Sequence, residues 1–578
     1  MANSKPLLEE FPPVATEAWE EAIRKDLKGA DYAKKLLWKT EDGLTLKPYY
    51  RADALAGIDC LDLAPGEFPY VRGATPGNAW RIREEIEEAD AESANRSARK
   101  ALAAGAEEIS FQAAVSGQEG LEKLLAGVGA MPIHFAGADE ALVSLLLQAR
   151  QPSRGSTAWN PLSNLSKAVE FVKQTWPGFR PLTLPGTPFE EEGATTVQEV
   201  GYTLAAGIDF LAAMQAQGVE AEQAAAAVAF SFAIGANYFF QIAKLRAFRL
   251  LWARAVTSFG GSPGAAKAEI HARTSRWNQS IYDSHVNVLR GTTEAMSAAI
   301  GGANTVAVIP FDATYQEPDA ASRRLARNTQ IILKKEAQLD RVADPGGGSY
   351  YVEFLTHSIA REAWQVMQRI EAAGGYRQAQ GPIREGLGKS RSAREAAVAA
   401  RRRVFVGTNQ YPNLRETAQD KLQTPRAGAE IPRGPAAFEQ IRLRTERDAQ
   451  ATGKRKRFLL AEIGDPKMRA ARSSFAANFL GCAGFEIVTA SYQDVDQIAA
   501  TEADAIVVCS SDSEYPALCP ALLTKLGQAG RTTPVIVAGN PADSIEQLKQ
   551  AGVADFIHVR SNAVETLAAW QKRLGIAG

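Results

Sequence analysis

Cysteine and histidine are scarce, with 4 and 5 copies in 578 residues. Cys60, Cys482, Cys509 and Cys519 include no Cys-x-x-Cys pair, which argues against a zinc knuckle or a disulfide framework and reads as reduced, mostly buried thiols. His134, His271, His285, His357 and His558 include no pair at i and i+4, so no imidazole-based metal site is expected. An excess of either charge is missing too: 65 Lys and Arg against 66 Asp and Glu leave a net charge of -1, with no bulk attraction to nucleic acid or an anionic membrane. No apolar run reaches the roughly 18 residues of a membrane span, and the opening residues 1–10 carry acids where a secretory leader is apolar. A soluble cytoplasmic protein is the expectation.

What the chain does have is length and a 46% hydrophobic composition, enough for a large core and too much for one ordinary domain. Residues 1–45 read as an N-terminal arm with a helix from Glu17 to Leu27 behind a Pro-rich turn, Phe11-Pro-Pro-Val. From 46 to 375, β-rich runs such as Glu108–Phe111, Met131–Phe135, Pro181–Leu184, Glu269–Ala272 and Asn304–Ile309 alternate with helical stretches. Three of those stretches run from Thr195 to Gln217, Ala221 to Ser258 and Asp319 to Glu336. That alternation predicts an α/β architecture, a (β/α)8 TIM barrel. Residues 376–455, with Arg401-Arg-Arg and few apolar repeats, read as a surface-wrapping linker. Residues 456–578 show five further strands separated by helices and predict a flavodoxin-like doubly wound domain.

Isolated chemistry is thin. Glu190-Glu-Glu192 reads as acids favourable to a helix N-terminus, and Asp344-Pro-Gly-Gly-Gly348-Ser as a turn, since it lacks the lysine and strand-to-helix context of a phosphate loop. In the last domain, ligands of an open α/β sheet bind beyond the strand ends. The loop Glu462–Arg472 there has no histidine and no glycine except Gly464, and the turn Val537-Ala-Gly-Asn540 is short.

In this order the segments resemble the adenosylcobalamin-dependent methylmalonyl-CoA mutase family along nearly the whole chain. The resemblance rests on Gly66–Gly73, Glu191–Glu199 with Tyr202–Gly207, Ile242–Arg246 with Leu251–Ala253, His271–Trp277, Arg327–Gln330 and Val342–Glu353. It implies a barrel threaded by coenzyme A and a degenerate cobalamin-binding-like domain. The departures carry more weight. Where the family places Asp-x-His-x-x-Gly, whose histidine ligates cobalt, this chain has Asp465-Pro-Lys-Met-Arg. Where it places Gly-Tyr-His-Met-Gln, this chain has Gly186-Thr-Pro-Phe-Glu190. The family's substrate tyrosine corresponds to Glu85, although Trp80 and Arg83 persist, and its carboxylate-clamping arginine has no counterpart between His134 and Phe171. In His271-Ala-Arg-Thr-Ser-Arg-Trp277 the histidine is kept, while Arg273 and Arg276 replace glutamine and glycine.

These departures imply the small, non-catalytic subunit of a heterodimeric mutase, whose partner, the large catalytic subunit, binds adenosylcobalamin and the acyl-CoA. They imply no catalytic, cofactor or metal residue on this chain, with His271 a vestigial substrate-binding position. The alternatives are an active acyl-CoA mutase of altered specificity that recruits Arg273 and Arg276, or an assembly module for another mutase.

Overall fold

The computed structural model describes residues 11, 14–112, 115–418, 421–422 and 432–576. The chain start and Pro12-Pro13 of the expected Pro-rich turn lie outside the described residues. The leading helix is present as Thr16–Asp26. None of its residues is buried, and it is held by Trp19, which stacks on Tyr49 at 5.2 Å and lies beneath the Arg51 guanidinium. A two-stranded hairpin, β1 (Trp38–Lys39) and β2 (Thr45–Leu46), follows.

The barrel is built from β3 (Arg81–Ile86), β4 (Glu108–Phe111), β5 (Ile133–Phe135), β6 (Gly155–Thr157), β7 (Phe179–Arg180), β8 (Leu182–Pro185), β9 (Val228–Ile234), β10 (Ile270–Thr274) and β11 (Thr305–Ala307). Every ladder is parallel, in the order β7-β6-β5-β4-β3-β11-β10-β9-β8. The two ends of that order are one strand. Pro181 separates β7 from β8 and has no N–H to continue a ladder. Its carbonyl accepts from Thr157 Oγ1 at 2.6 Å, and the Thr183 amide donates to the Trp159 carbonyl at 2.9 Å, which joins β8 to the chain beyond β6. The nine segments therefore close an eight-stranded barrel.

One expected helix is two elements and a strand. Ala221–Ala227 is helical, β9 intervenes, and the helix resumes at Tyr238 and ends at Ser258. Alanines at 224–227 carry helical propensity up to β9, but Val228, Phe230, Phe232 and Ile234 are β-branched or aromatic and nearly inaccessible, as a central parallel strand demands. A continuous apolar run has no period to separate the two readings. The 376–455 stretch, expected as a linker, holds helices Gln380–Ala399 and Ala436–Thr452, which bury Ile383, Leu387, Val398, Phe438 and Ile441. The triplet Glu190–Glu192 does not open the long helix Thr196–Ala216, which Thr195 and Gln198 cap. It ends the short helix Thr187–Glu191 instead. The Asp344–Ser349 segment is a turn, and Asp344 and Glu353 hold the buried Arg246 at 3.3 and 2.8 Å.

The last domain carries β12 (Arg457–Glu462), β13 (Glu486–Ser491), β14 (Ala505–Cys509), β15 (Val535–Ala538) and β16 (Asp555–Ile557). They form a parallel sheet of order β13-β12-β14-β15-β16, the flavodoxin-like arrangement. Trp277 of the barrel joins its core: it sits between the guanidinium groups of Arg394 and Arg403, 4.0 and 4.2 Å from its ring, and packs with Phe405 in a cluster that includes Phe438, Phe458 and Trp570. No described helix is long and apolar enough to cross a membrane.

Gly155 is a point where the barrel tolerates no side chain. Its φ is +147°, and a methyl group there would overlap the Ile133 carbonyl of the neighbouring strand. Gly155→Ala is expected to lower the unfolding free energy by about 3 kcal/mol or more. Gly218→Ala, at φ +71° with open space around it, should cost only about 1 kcal/mol. Chemical denaturation of the two variants checks the difference.

Candidate functional site

Alternation along β3 and β10 turns every second residue toward the barrel axis. Arg81, Arg83 and Glu85 on β3, with His271 and Arg273 on β10, thus meet Glu108 of β4, His134 of β5 and Ser156 of β6 inside the barrel. Near the strand starts, the buried Glu108 carboxylate receives Arg81 Nε at 2.6 Å, Arg83 Nε at 2.9 Å and Thr305 Oγ1 at 3.1 Å. Burial alone would raise its pKa, but Arg83 and Arg81 outweigh that and hold it down at about 2. Glu269 also pairs with Arg81 at 2.5 Å.

One layer up, Arg83 Nη2 lies 2.7 Å from His271 Nδ1. A guanidinium only donates, so His271 Nδ1 accepts and its proton sits on Nε2. That nitrogen faces Ser156 Oγ at 3.4 Å, and the same hydroxyl lies 2.8 Å from His134 Nδ1. The chain runs from Arg83 through His271 and Ser156 to His134. Burial first, then the Arg83 charge, pushes both imidazole pKa values well below 6.5, so both rings are neutral. Both nitrogens of His271 therefore face groups of its own chain.

At the strand C-terminal ends, where barrel sites form, Arg273 pairs with Glu191 at 2.5 Å and approaches Glu85 at 3.9 Å. Behind them Glu190 accepts from Ser275 Oγ at 3.0 Å and faces Arg394 at 3.4 Å. Glu294 accepts from Asn278 Nδ2 at 2.7 Å, and burial, with Glu190 nearby, raises its pKa well above 4.5. Arg273 thus pairs with Glu191 and approaches Glu85, while Glu190 faces Arg394 instead. Sequence reading missed Arg81, Glu108, Ser156 and Glu269. The signal available was charge at alternate positions in strands otherwise apolar.

The second crevice is the topological switch point between β12 and β14. Asp465 caps the helix Pro466–Gly481 by accepting from the Met468 amide at 2.7 Å. Glu514 reaches across from the β14 loop and accepts from Ser510 Oγ and Ser511 Oγ, each at 2.6 Å, and from the Asp465 amide at 3.2 Å. The serine hydrogen bonds hold its carboxyl at about 2. Gly464, at φ +80°, accommodates this: a methyl group there would stand 2.5 Å from the Glu514 oxygens. Farther along, the Tyr515 hydroxyl bridges the Ser510 and Ala538 carbonyls at 2.8 Å each, and Arg472 pairs with Asp512 at 2.8 Å against Gly539.

Residues 39–128 and 158–477 match the family described as methylmalonyl-CoA mutase, and the chain belongs to that family. Among its relatives, the "Methylmalonyl-CoA mutase small subunit" of Porphyromonas gingivalis is 37% identical over 100% of both chains. The protein of the same name from Streptomyces virginiae is 33% identical over 99% of this chain and 98% of its own. The "Methylmalonyl-CoA mutase large subunit" of Streptomyces virginiae is 30% identical, over 76% of this chain and 67% of its own.

Against that family background, the residues at the switch point do not fit a cobalamin. The Asp465 loop offers no imidazole, and Glu514, Tyr515 and the Arg472–Asp512 pair are bonded to their own chain around the ends of β12, β14 and β15. The domain's one histidine, His558, follows the edge strand β16, away from the Asp465 loop.

The neutral imidazoles give the barrel a pH signature. A histidine whose native pKa is depressed is protonated first in the unfolded chain, so its contribution is complete above about 6.5 and fades as pH falls. Glu294, raised on folding, acts in the opposite direction, which makes the parent-to-variant comparison the informative one. His271→Asn is expected to flatten the fall in melting temperature between about pH 6.5 and 5 relative to the parent. Scanning calorimetry across that range reads the two slopes.

Proposed function

We propose that this chain is the non-catalytic small subunit of a heterodimeric, cytoplasmic methylmalonyl-CoA mutase. Its large partner would carry adenosylcobalamin and the acyl-CoA and interconvert methylmalonyl-CoA and succinyl-CoA. The observation that carries the reading is the Glu108 network, which lies along the barrel axis where a threaded thioester would have to pass. Full-length similarity to proteins named small subunit supports it, as does similarity to a protein named large subunit. In this reading residues 1–45 are an arm that wraps the partner, 46–375 the barrel, 376–455 the connection and 456–578 a degenerate cobalamin-binding-like domain. His271 is then a vestige of a substrate-binding position, and the Arg83 and Ser156 contacts support that role.

Homolytic radical chemistry requires the cofactor to be held, water excluded and the substrate oriented. The geometry here serves a scaffold better, because its charged groups neutralise one another. The test uses the isolated full chain and its complex with the large subunit. Adenosylcobalamin added to the isolated chain should leave its visible spectrum unchanged, and methylmalonyl-CoA should not turn over. The complex should be active, and His271→Ala on this chain should change its kcat by less than about twofold, under 0.5 kcal/mol. Turnover by the isolated chain with a bound-cobalamin spectrum would overturn the reading.

A further inference from the structure

On the outer face of the barrel, helices Tyr238–Ser258 and Tyr350–Ala372 pack together. Between them lies a cavity of about 270 Å³, walled on its third side by Ile58–Cys60. That is slightly below the size of a drug-binding pocket and suits a small molecule. Its lining is mostly apolar: Val71, Leu250, Leu251 and Ala360 are buried, and Trp364 stands partly exposed. Among them Thr356, only 3% exposed, holds a hydroxyl with no hydrogen-bond partner. Cavities that stay empty are apolar throughout, and an unpaired buried hydroxyl is costly. A dry packing gap does not explain Thr356.

The charges on the lining are unequal. Glu353 is engaged by Arg246 at 2.8 Å and Arg72 at 3.2 Å. Arg254 makes no ion pair among the described residues, and Arg361 pairs only with its half-buried neighbour Glu362 at 3.2 Å. Both arginines lie close enough to His357 to help burial lower its pKa, and Asp59 is the one opposing charge. The cavity thus combines an apolar body with a mixed rim of Arg254, Arg361 and Asp59, on which Arg254 is the arginine without an ion pair among the described residues. A neutral hydrocarbon would leave the rim unmatched. Both helices contribute mid-helix side chains here and no helix N-terminus, the backbone feature that favours a phosphate.

We propose that this cavity binds a medium-chain aliphatic carboxylate, its tail against Leu250, Leu251 and Ala360 and its carboxylate on Arg254 and Arg361. Guanidinium groups bind carboxylates through paired, charge-assisted hydrogen bonds, which makes Arg254 the anchor. The site is separate from the barrel axis and from the β12–β14 crevice.

Cys60 supplies the reporter. It is the one cysteine of the four that is not buried, and it forms part of the cavity wall. N-Ethylmaleimide should alkylate Cys60 on the native full-length chain, and the rate reads occupancy. Sodium octanoate at ten times its dissociation constant should slow alkylation about tenfold. Octan-1-ol at the same concentration should not. Arg254→Leu alters an exposed side chain, and the ratio of rates with and without octanoate should fall to about one. Since Arg254 also influences the Cys60 thiol, ratios are compared within each variant. No slowing by octanoate, equal protection by octan-1-ol, or full protection retained in Arg254→Leu would each overturn the proposal. The measurement needs neither turnover nor a partner chain, so it is independent of the subunit reading.

Discussion

The barrel depends on one buried carboxylate. Glu108 is almost inaccessible and accepts from two arginines and a threonine, on β3 and β11. Arg83 extends this outward to His271, and Arg81 extends it sideways to Glu269. An isolated charge at that depth would be expelled or neutralised, so each member persists only because the others do. Removing one partner of such a pair costs about 3–5 kcal/mol. The barrel interior around Glu108 is therefore electrostatic, while Ile86, Ile109 and Phe111 on the outward face belong to the apolar core.

Much of this was legible beforehand. Strands ending in turns and spaced by helical runs identified the barrel, and the five later strands identified the doubly wound domain. What escaped was physically ambiguous. β9 is apolar at every position but Ser231 and carries too little alternation to show a period, so it merged into its flanking helices. Helix Gln380–Ala399 buries only Ile383, Leu387, Arg394 and Val398, and helix Ala436–Thr452 buries Glu439, Arg442 and Glu446 beside Phe438, Ile441 and Leu443, so neither presents a plain apolar stripe in the sequence. Of the candidate site, the lost residue types could be read directly. What replaced them could not, because a pairing such as Arg81 with Glu269 spans 188 residues and is specified only by strand register.

Both regions follow the same logic. In the barrel and at the β12–β14 crevice alike, the places where an α/β protein ordinarily receives a ligand are taken up by acids and their own donors. Glu514 does at the crevice what Glu108 does in the barrel, with serine hydroxyls and a backbone amide in place of arginines. Trp277, between Arg394 and Arg403, joins the two regions into one packed body through the same cluster as Phe458.

The interlocked charges of the barrel axis also set a direction on its history. Replacing Arg83 with a small residue would leave the Glu108 carboxylate with Arg81 and Thr305 alone, and replacing Glu108 would leave Arg83 without a counter-ion while Arg81 keeps Glu269. Each single replacement passes through a less stable protein, whereas exchanges that keep the charges matched are tolerated. Drift can therefore reshuffle the filling of this barrel only through substitutions that keep its charges matched. The plug acts as a ratchet.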